Sequence, residues 1–551
     1  NAVQPNPDLF DESLTTRLGA CAKSHKIDIS LLDPMTALST LIENLSVKHA
    51  DSLTESSGTL HEPRKNVVLL IDEYDFPLHD KIHDSAQCEL IRLKLRNFYS
   101  AVKGSYEYLK FTFITGITKF QQVSLFSSLN NVIDLTLDSK FSEICGFTKQ
   151  EILDYYKPNL EEAIPKLISS GDLPPESTVE MLMKVILNWY DGYSWDGDKT
   201  VLNPFSIKWF LENKKFKNYW YNSGTPLFVY LLNSKTDDYF KIFDIDLSIQ
   251  DPIEVMDINN LQDESFLFQA GYLTIDKIDA KGTSPIHLKI PNLEVLGAIS
   301  KEIAHKFLVP PNTSNPVKYI NDSQNYVLSA FQSRNIIEAE KQLSSIFSSI
   351  NKKLYHGEGE NIFHVMLFCL LIYGDRFLQT EVTSDKGRAD IIIELPDGSL
   401  MGIEVKHSPG IISSDDTASN DTPTSVALSA SSFSSASGSL PSQINHADDQ
   451  TVRPVSQHGD SYVLTHGLLT EKETKILSNL IIKAFDQIAE KNYTLPLLRK
   501  NRKVYAAAVA VYGTSKVMVR FADVVWKDDR KQTPSWNEIS PTQGTISPVK
   551  T

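Results

Sequence analysis

Two apolar, β-branched runs, Ala389 to Leu395 and Leu400 to Val405, flank the turn Pro396-Asp397-Gly398 in the stretch from Glu381 to His407. Runs of this kind joined by a Pro-Asp-Gly turn predict a β-hairpin. Asp390 opens the first strand. Glu404 and Lys406 sit two apart on the second and therefore project to the same face. Acidic and basic side chains on one face of an otherwise apolar strand are costly unless they are paired or used.

Residues of these types suit metal-assisted hydrolysis of a phosphodiester. Two carboxylates can hold Mg²⁺, a hard ion that prefers oxygen ligands and keeps several waters. The ion polarises a phosphoryl oxygen and activates a bound water. A nearby lysine orients that water or stabilises the developing negative charge. On spacing alone, a surface hairpin with an exposed ion pair is the favoured reading.

Three further stretches accompany the hairpin. Glu360-Asn361-Ile362-Phe363-His364 begins an apolar helix, Gln487-Ile488-Ala489-Glu490-Lys491-Asn492-Tyr493 lies downstream, and Lys503 to Val511 is a buried strand. Together they resemble the active-site core of the PD-(D/E)XK nuclease superfamily, in particular the nuclease domain that follows an AAA-ATPase-like domain in one large family. The resemblance implies Asp390 and Glu404 as ligands of Mg²⁺ or Mn²⁺, with Lys406 positioning the water. It also implies Glu360 as a further ligand, Gln487 as a phosphate-orienting group and Tyr493 as support for the helix of Gln487.

With 551 residues, 41% hydrophobic and 22% charged, the chain should form two or more globular domains. A formal charge of −15 argues against a protein coated for non-specific nucleic-acid binding. The segment Lys491 to Lys531 nevertheless carries Lys and Arg in clear excess over Asp and Glu, as a local basic groove or a solvated face would. Cys21, Cys88, Cys145 and Cys369 are far apart and form no C-x-x-C pair, so reduced thiols in an intracellular compartment, cytoplasm or nucleus, are expected. Secretion as an effector stays open. No transmembrane run or signal peptide is visible. The chain opens with Asn1 rather than Met, so any targeting segment can lie upstream.

Leu14 to Ser24 and Thr36 to His49 read as helices, followed by a buried parallel strand, Asn66 to Ile71. That strand ends in Asp72-Glu73-Tyr74-Asp75, the form of a Walker B motif, where the Asp holds nucleotide-bound Mg²⁺ and the Glu orients a water. A helix near Ala86 to Lys103 and a second buried strand, Leu109 to Ile114, lead to Thr115-Gly116-Ile117-Thr118-Lys119. These stretches, with Trp189 to Trp195, Asn203 to Ile207 and Asn218 to Pro226, resemble the AAA-ATPase-like family in order. For Trp189, Tyr190, Tyr193 and Trp195, packing is the preferred role. No G-x-x-x-x-G-K-[ST] phosphate loop occurs in the chain. The family carries its loop upstream of these helices, so this chain is expected either to be a fragment or to have lost it. ATP hydrolysis by this polypeptide alone is not expected.

The fold expected is α/β: an incomplete P-loop AAA-like core (1–145), a mostly helical lid and connector (146–316) and a PD-(D/E)XK restriction-endonuclease-like α/β domain (317–526). Pro204, Pro226 and Pro252 are expected to break the lid into short segments, and Val327 to Lys353 to be one helix. A Ser/Thr/Asp/Asn/Pro-rich insertion, 408–460, should be disordered, and 527–551 should be a frayed tail. The expected function is Mg²⁺-dependent cleavage of nucleic acid, DNA first. The rivals are a non-catalytic scaffold binding nucleic acid or protein, and an ATPase whose phosphate loop lies upstream. A protein partner or oligomer through the AAA-like domain is a further expectation.

Overall fold

The computed structural model describes residues 6–51, 65–79, 81, 84–119, 132–220, 247–249, 263–278, 285–350, 359–372, 391–395, 399–408, 463–464, 467–490, 503–513, 515–525 and 535–538. The chain divides into two units, Asn1–Asn325 with Val365–Glu394, and Tyr326–His364 with Leu395–Thr551.

The first unit opens with α1 (Pro7–Ser24) and α2 (Pro34–Asp51). Strand β1 (Val67–Ile71) follows, then a single turn, α3 (Phe76–His79). Helix α4 (Ser85–Gly104) starts where the Asp84 side chain accepts the Gln87 N–H, and β2 (Leu109–Ile114) comes next. β1 and β2 pair in parallel, with Val68 beside Phe111 and Leu70 beside Phe113. The expectation that both strands are buried needs correction. Val68, Leu70, Phe111 and Phe113 share one face, and Leu70 is 68% exposed. Apolar runs betray strands buried on both faces, but here the run is continuous and, among the described residues, only one face is covered.

Helix α5 (Lys149–Ser170) begins with a capping box between Thr148 and Glu151 and ends at Gly171 in the left-handed conformation. It holds Pro158 and Pro165 within its length. Helix α6 (Val179–Tyr190) is capped by Thr178. Pro204 opens α7 (Pro204–Asn213) behind the cap Asn203, so it starts a helix instead of breaking one; Pro226 and Pro252 lie outside the described residues. These three helices bury a core that includes Leu160, Ile186, Trp189, Tyr190 and Phe210. Phe216 joins it at 4.7 Å from the Phe210 ring. Packing is therefore what Trp189 and Tyr190 do.

The mostly helical connector also contains a small antiparallel sheet, order β3-β5-β4. It is built from β3 (Ser248–Ile249), β4 (Thr274–Lys277) after the short α8 (Asp263–Gln269), and β5 (Ile286–Lys289). Helix α9 (Leu293–Leu308) follows, capped by Asn292.

Helix α10 (Pro316–Gln332) and α11 (Ile336–Phe347) stand where one helix was expected. Arg334, at φ 54°, breaks the run. Helix α12 (Gly359–Leu371) and β6 (Ile391–Glu394) come before a turn closed by the Leu395 N–H donating to the Ser399 carbonyl at 2.8 Å. β7 (Leu400–Ser408) leaves that turn. Beyond a two-residue pairing of β8 (Val463–Leu464) with β9 (Gly467–Leu468) come α13 (Glu471–Glu490), β10 (Val504–Tyr512), β11 (Lys516–Val525) and β12 (Ser535–Glu538).

In the second unit the strand order is β12-β11-β10-β7, with β10 parallel to β7 and antiparallel to β11. Leu477, Ile481, Ala484 and Ile488 of α13 pack on Ala506, Ala508 and Ala510 of β10. On the opposite face Phe331 meets Phe521 edge-on, and Phe363 lies 4.8 Å from the His407 ring. β12 corrects the expectation that 527–551 is wholly frayed. It covers β11 only from Ala522 to Val525. Further along, Glu340 of α11 accepts the Val519 N–H at 3.0 Å and the Arg520 guanidinium at 2.9 Å. The Ser-rich insertion lies outside the described residues apart from Ser408, which ends β7.

Candidate functional site

In the second unit, Gly402, Glu404 and Lys406 are the register partners of Ala506, Ala508 and Ala510. Paired residues of neighbouring strands share a face, so Glu404 and Lys406 lie on the face covered by α13. Both are buried, Glu404 at 2% and Lys406 at 7% exposure. Lys406 Nζ is 3.1 Å from Glu404 Oε1. The alternative of an exposed surface pair is thereby set aside. Among the described residues, a Cβ added to Gly402, two residues before Glu404 on the same face, would meet no atom within 4 Å. Gln487 sits half-buried on α13, next to the packed Ile488. Asp390 and Tyr493 lie outside the described residues. Glu360 belongs to α12, but its side chain is likewise outside them.

A buried carboxylate oxygen is the donor type Mg²⁺ selects, and one or two carboxylates plus waters are its usual protein share. Glu404 fits that chemistry. Among the described residues no group of three or more His, Cys, Asp or Glu gathers as ligands.

The first unit brings Asp72 and Glu73 to the carboxyl ends of two parallel strands, where open α/β sheets bind ligands. The Thr115 hydroxyl donates to Asp72 Oδ1 at 2.6 Å and accepts the Glu73 N–H at 3.3 Å. Both carboxylates are exposed, and Glu73 is held at φ 52°. Backbone strain of this kind is retained where the surroundings over-determine it.

Here Thr115 does so, accepting the Glu73 N–H on its hydroxyl and the Tyr74 N–H on its carbonyl. Two residues past Glu73 stands Asp75, to which the Walker B pattern assigns no role. It is fully buried. Its carboxylate accepts the Ile117 N–H at 3.1 Å, the Thr118 N–H at 2.5 Å and the Thr118 hydroxyl at 2.7 Å. Burial pushes this carboxyl up, but the hydrogen bond and charge of His79, with the Thr118 donors, outweigh it and hold it below the usual carboxylate range. Gly116 is required here: a Cβ would come within 2.5 Å of the Tyr74 ring and 2.6 Å of Asp75 Oδ1. The signal in the sequence was the spacing of Asp75 and His79, one helical turn apart.

A second buried carboxylate, Glu294, ties the connector together. It accepts the Ser206 hydroxyl at 2.7 Å and the Trp220 N–H at 2.9 Å. Burial pushes it up to about 7. Asn292 donates to the Asp191 carbonyl at 2.7 Å, and Gly192 passes so close to Pro291 that a Cβ would sit 2.1 Å from its carbonyl oxygen. The stretches around Asp191, Ser206 and Trp220 thus converge through hydrogen bonds.

The protein is mixed α/β, and its parallel strand pair ends in Asp72 and Thr115. Residues 9–126 match the family described as predicted AAA-ATPase. A similar protein, an uncharacterized protein in the vnfD 5' region of Azotobacter chroococcum mcd 1, is 32% identical over 248 residues, 45% of this chain and 44% of the relative. The chain therefore spans under half the length of that curated relative. No solved structure matches. None of the described helices is long and apolar enough to cross a membrane.

Proposed function

We propose that the second unit is a metal-dependent phosphodiester hydrolase acting on nucleic acid, DNA first. The observation that carries this reading is the buried pair of Glu404 and Lys406 on one strand. Two charges taken out of water lose several kcal/mol of hydration each, on the order of what their attraction returns. Such a pair contributes little net stability, which makes use the better account of it. Lys406 holds Glu404 Oε1 in a fixed position and presents an ammonium to developing negative charge. Gln487, on the covering helix, is the candidate for orienting a phosphate. A divalent ion bound with Glu404 and Asp390 would polarise the phosphoryl group.

Incubating the purified chain with labelled DNA and RNA, with Mg²⁺ or Mn²⁺ and with EDTA, tests this. Cleavage that needs the ion and disappears in Glu404→Gln is expected. No cleavage with any divalent ion would leave Glu404 and Lys406 as part of a binding scaffold.

A second reading concerns the first unit. The Asp72–Thr115 contact and the match over residues 9–126 support a nucleotide-handling module. With no phosphate loop in this sequence, the chain alone is expected to bind ATP weakly.

A further inference from the structure

Tyr505, at the start of β10, is almost fully buried, and two cations lie on its ring. The Arg334 guanidinium is 4.3 Å from the ring centroid and Lys503 Nζ is 4.6 Å from it. The backbone at Arg334 is held at φ 54° in the turn between α10 and α11. The Asn335 N–H donates to the Ala330 carbonyl and the Arg334 N–H to the Phe331 carbonyl, closing the end of α10. Glycine or asparagine usually takes such a left-handed place, because a Cβ is strained there. An arginine kept in that conformation points to a use for its side chain.

The planar guanidinium is built for two-point contact with a carboxylate or phosphate. Among the described residues no carboxylate lies within ion-pair distance of Arg334, whereas Arg520 has Glu340 and Lys516 has Glu473. Lys503 shares Asp523 at 3.5 Å but remains largely exposed. Its carbonyl accepts the Leu400 N–H at 3.0 Å, which fixes it at the start of the β7–β10 pair.

We infer that Arg334 and Lys503, held on Tyr505, form a binding site for the phosphodiester backbone of nucleic acid. The inference rests on the hydrolase reading for its choice of ligand. The cluster lies at the rim of the sheet, on the face opposite Glu404. It therefore contributes to affinity and positioning and takes no part in hydrolysis.

The test is the salt dependence of binding of a labelled DNA duplex to the full chain, read by fluorescence anisotropy. Arg334→Gly removes the cation and suits the left-handed backbone, and Lys503→Gln keeps a stem over the ring. Each is expected to reduce the slope of log K against log salt by about 0.9, and both together by about twice that. Arg334→Lys should retain the slope. Melting temperatures check that the variants are folded. An unchanged slope in the folded double variant would mean that the cations merely cover Tyr505, and the inference falls. It also falls if the wild-type chain binds no duplex at low salt. A third overturning result is inorganic phosphate raising the wild-type melting temperature, but not that of the double variant, while duplex binding is the same in both. A reduced slope without cleavage under any ion would leave the site standing and remove the hydrolase reading.

Discussion

His79 Nε2 lies 2.9 Å from Asp75 Oδ2 and 2.8 Å from the Thr118 hydroxyl. One ring nitrogen thus serves both ends of a buried link between the turn after β1 and the loop after β2. In a neutral imidazole that nitrogen must carry the hydrogen.

Asp75→Asn should weaken this link sharply. It removes a buried charge from between His79 and the Thr118 donors, at a cost of about 3 kcal/mol. Because the folded Asp75 carboxyl is held low, its contribution is complete above the unfolded value of about 3.9 and is lost as pH falls through the lower folded value. Chemical denaturation of wild type and variant should differ most near neutral pH and converge in strong acid. Equal stabilities at neutral pH would show that the network is incidental.

Glu294 has the opposite sign. Its folded value, about 7, lies above the ordinary carboxylate value, so the folded state binds the extra proton. Stability tied to this group is greatest below about pH 4.3 and declines as pH rises to about 7. Glu294→Gln keeps an acceptor and cannot ionise. It should match wild type near pH 4 and exceed it at pH 8 by up to about 3 kcal/mol, since each pH unit between the unfolded and folded values is worth about 1.4 kcal/mol. Melting curves at both pH values decide it, and a variant less stable at pH 8 contradicts the account.

For Glu404 and Lys406, single substitutions should cost stability as well as activity. Lys406→Ala leaves an unpaired buried carboxylate and should lose about 3–5 kcal/mol. Glu404→Gln with Lys406→Met fills similar volume without charge and should recover most of that loss while remaining inactive. Recovery of cleavage by this double variant would remove both residues from the chemistry.

Isothermal titration of the chain with ATP and Mg²⁺ is expected to give no low-micromolar dissociation constant. A clear micromolar isotherm would mean that phosphates are cradled by some element other than a G-x-x-x-x-G-K-[ST] loop.

Period-two alternation puts Glu404 and Lys406 on one face from the sequence alone, because a strand allows no other arrangement. The stripe Leu477, Ile481, Ala484, Ile488 is legible for the same reason with the helical period. Burial of the charged pair is not, since it depends on α13 covering β7. The strands β3, β4 and β5 escape because they are two to four residues long, too short for an alternation to register. The break at Arg334 is hidden by a residue type that rarely takes a positive φ. Asp75 and Glu294 carry no local signal of how many donors will converge on them.

The contact of Glu340 with the Val519 N–H has one more consequence. An edge strand with free N–H groups is a template on which another chain can grow. β12 closes only the far part of the β11 edge, and a carboxylate occupies a donor in the near part. The alanine- and valine-rich sheet thereby offers a foreign strand one donor fewer at this edge.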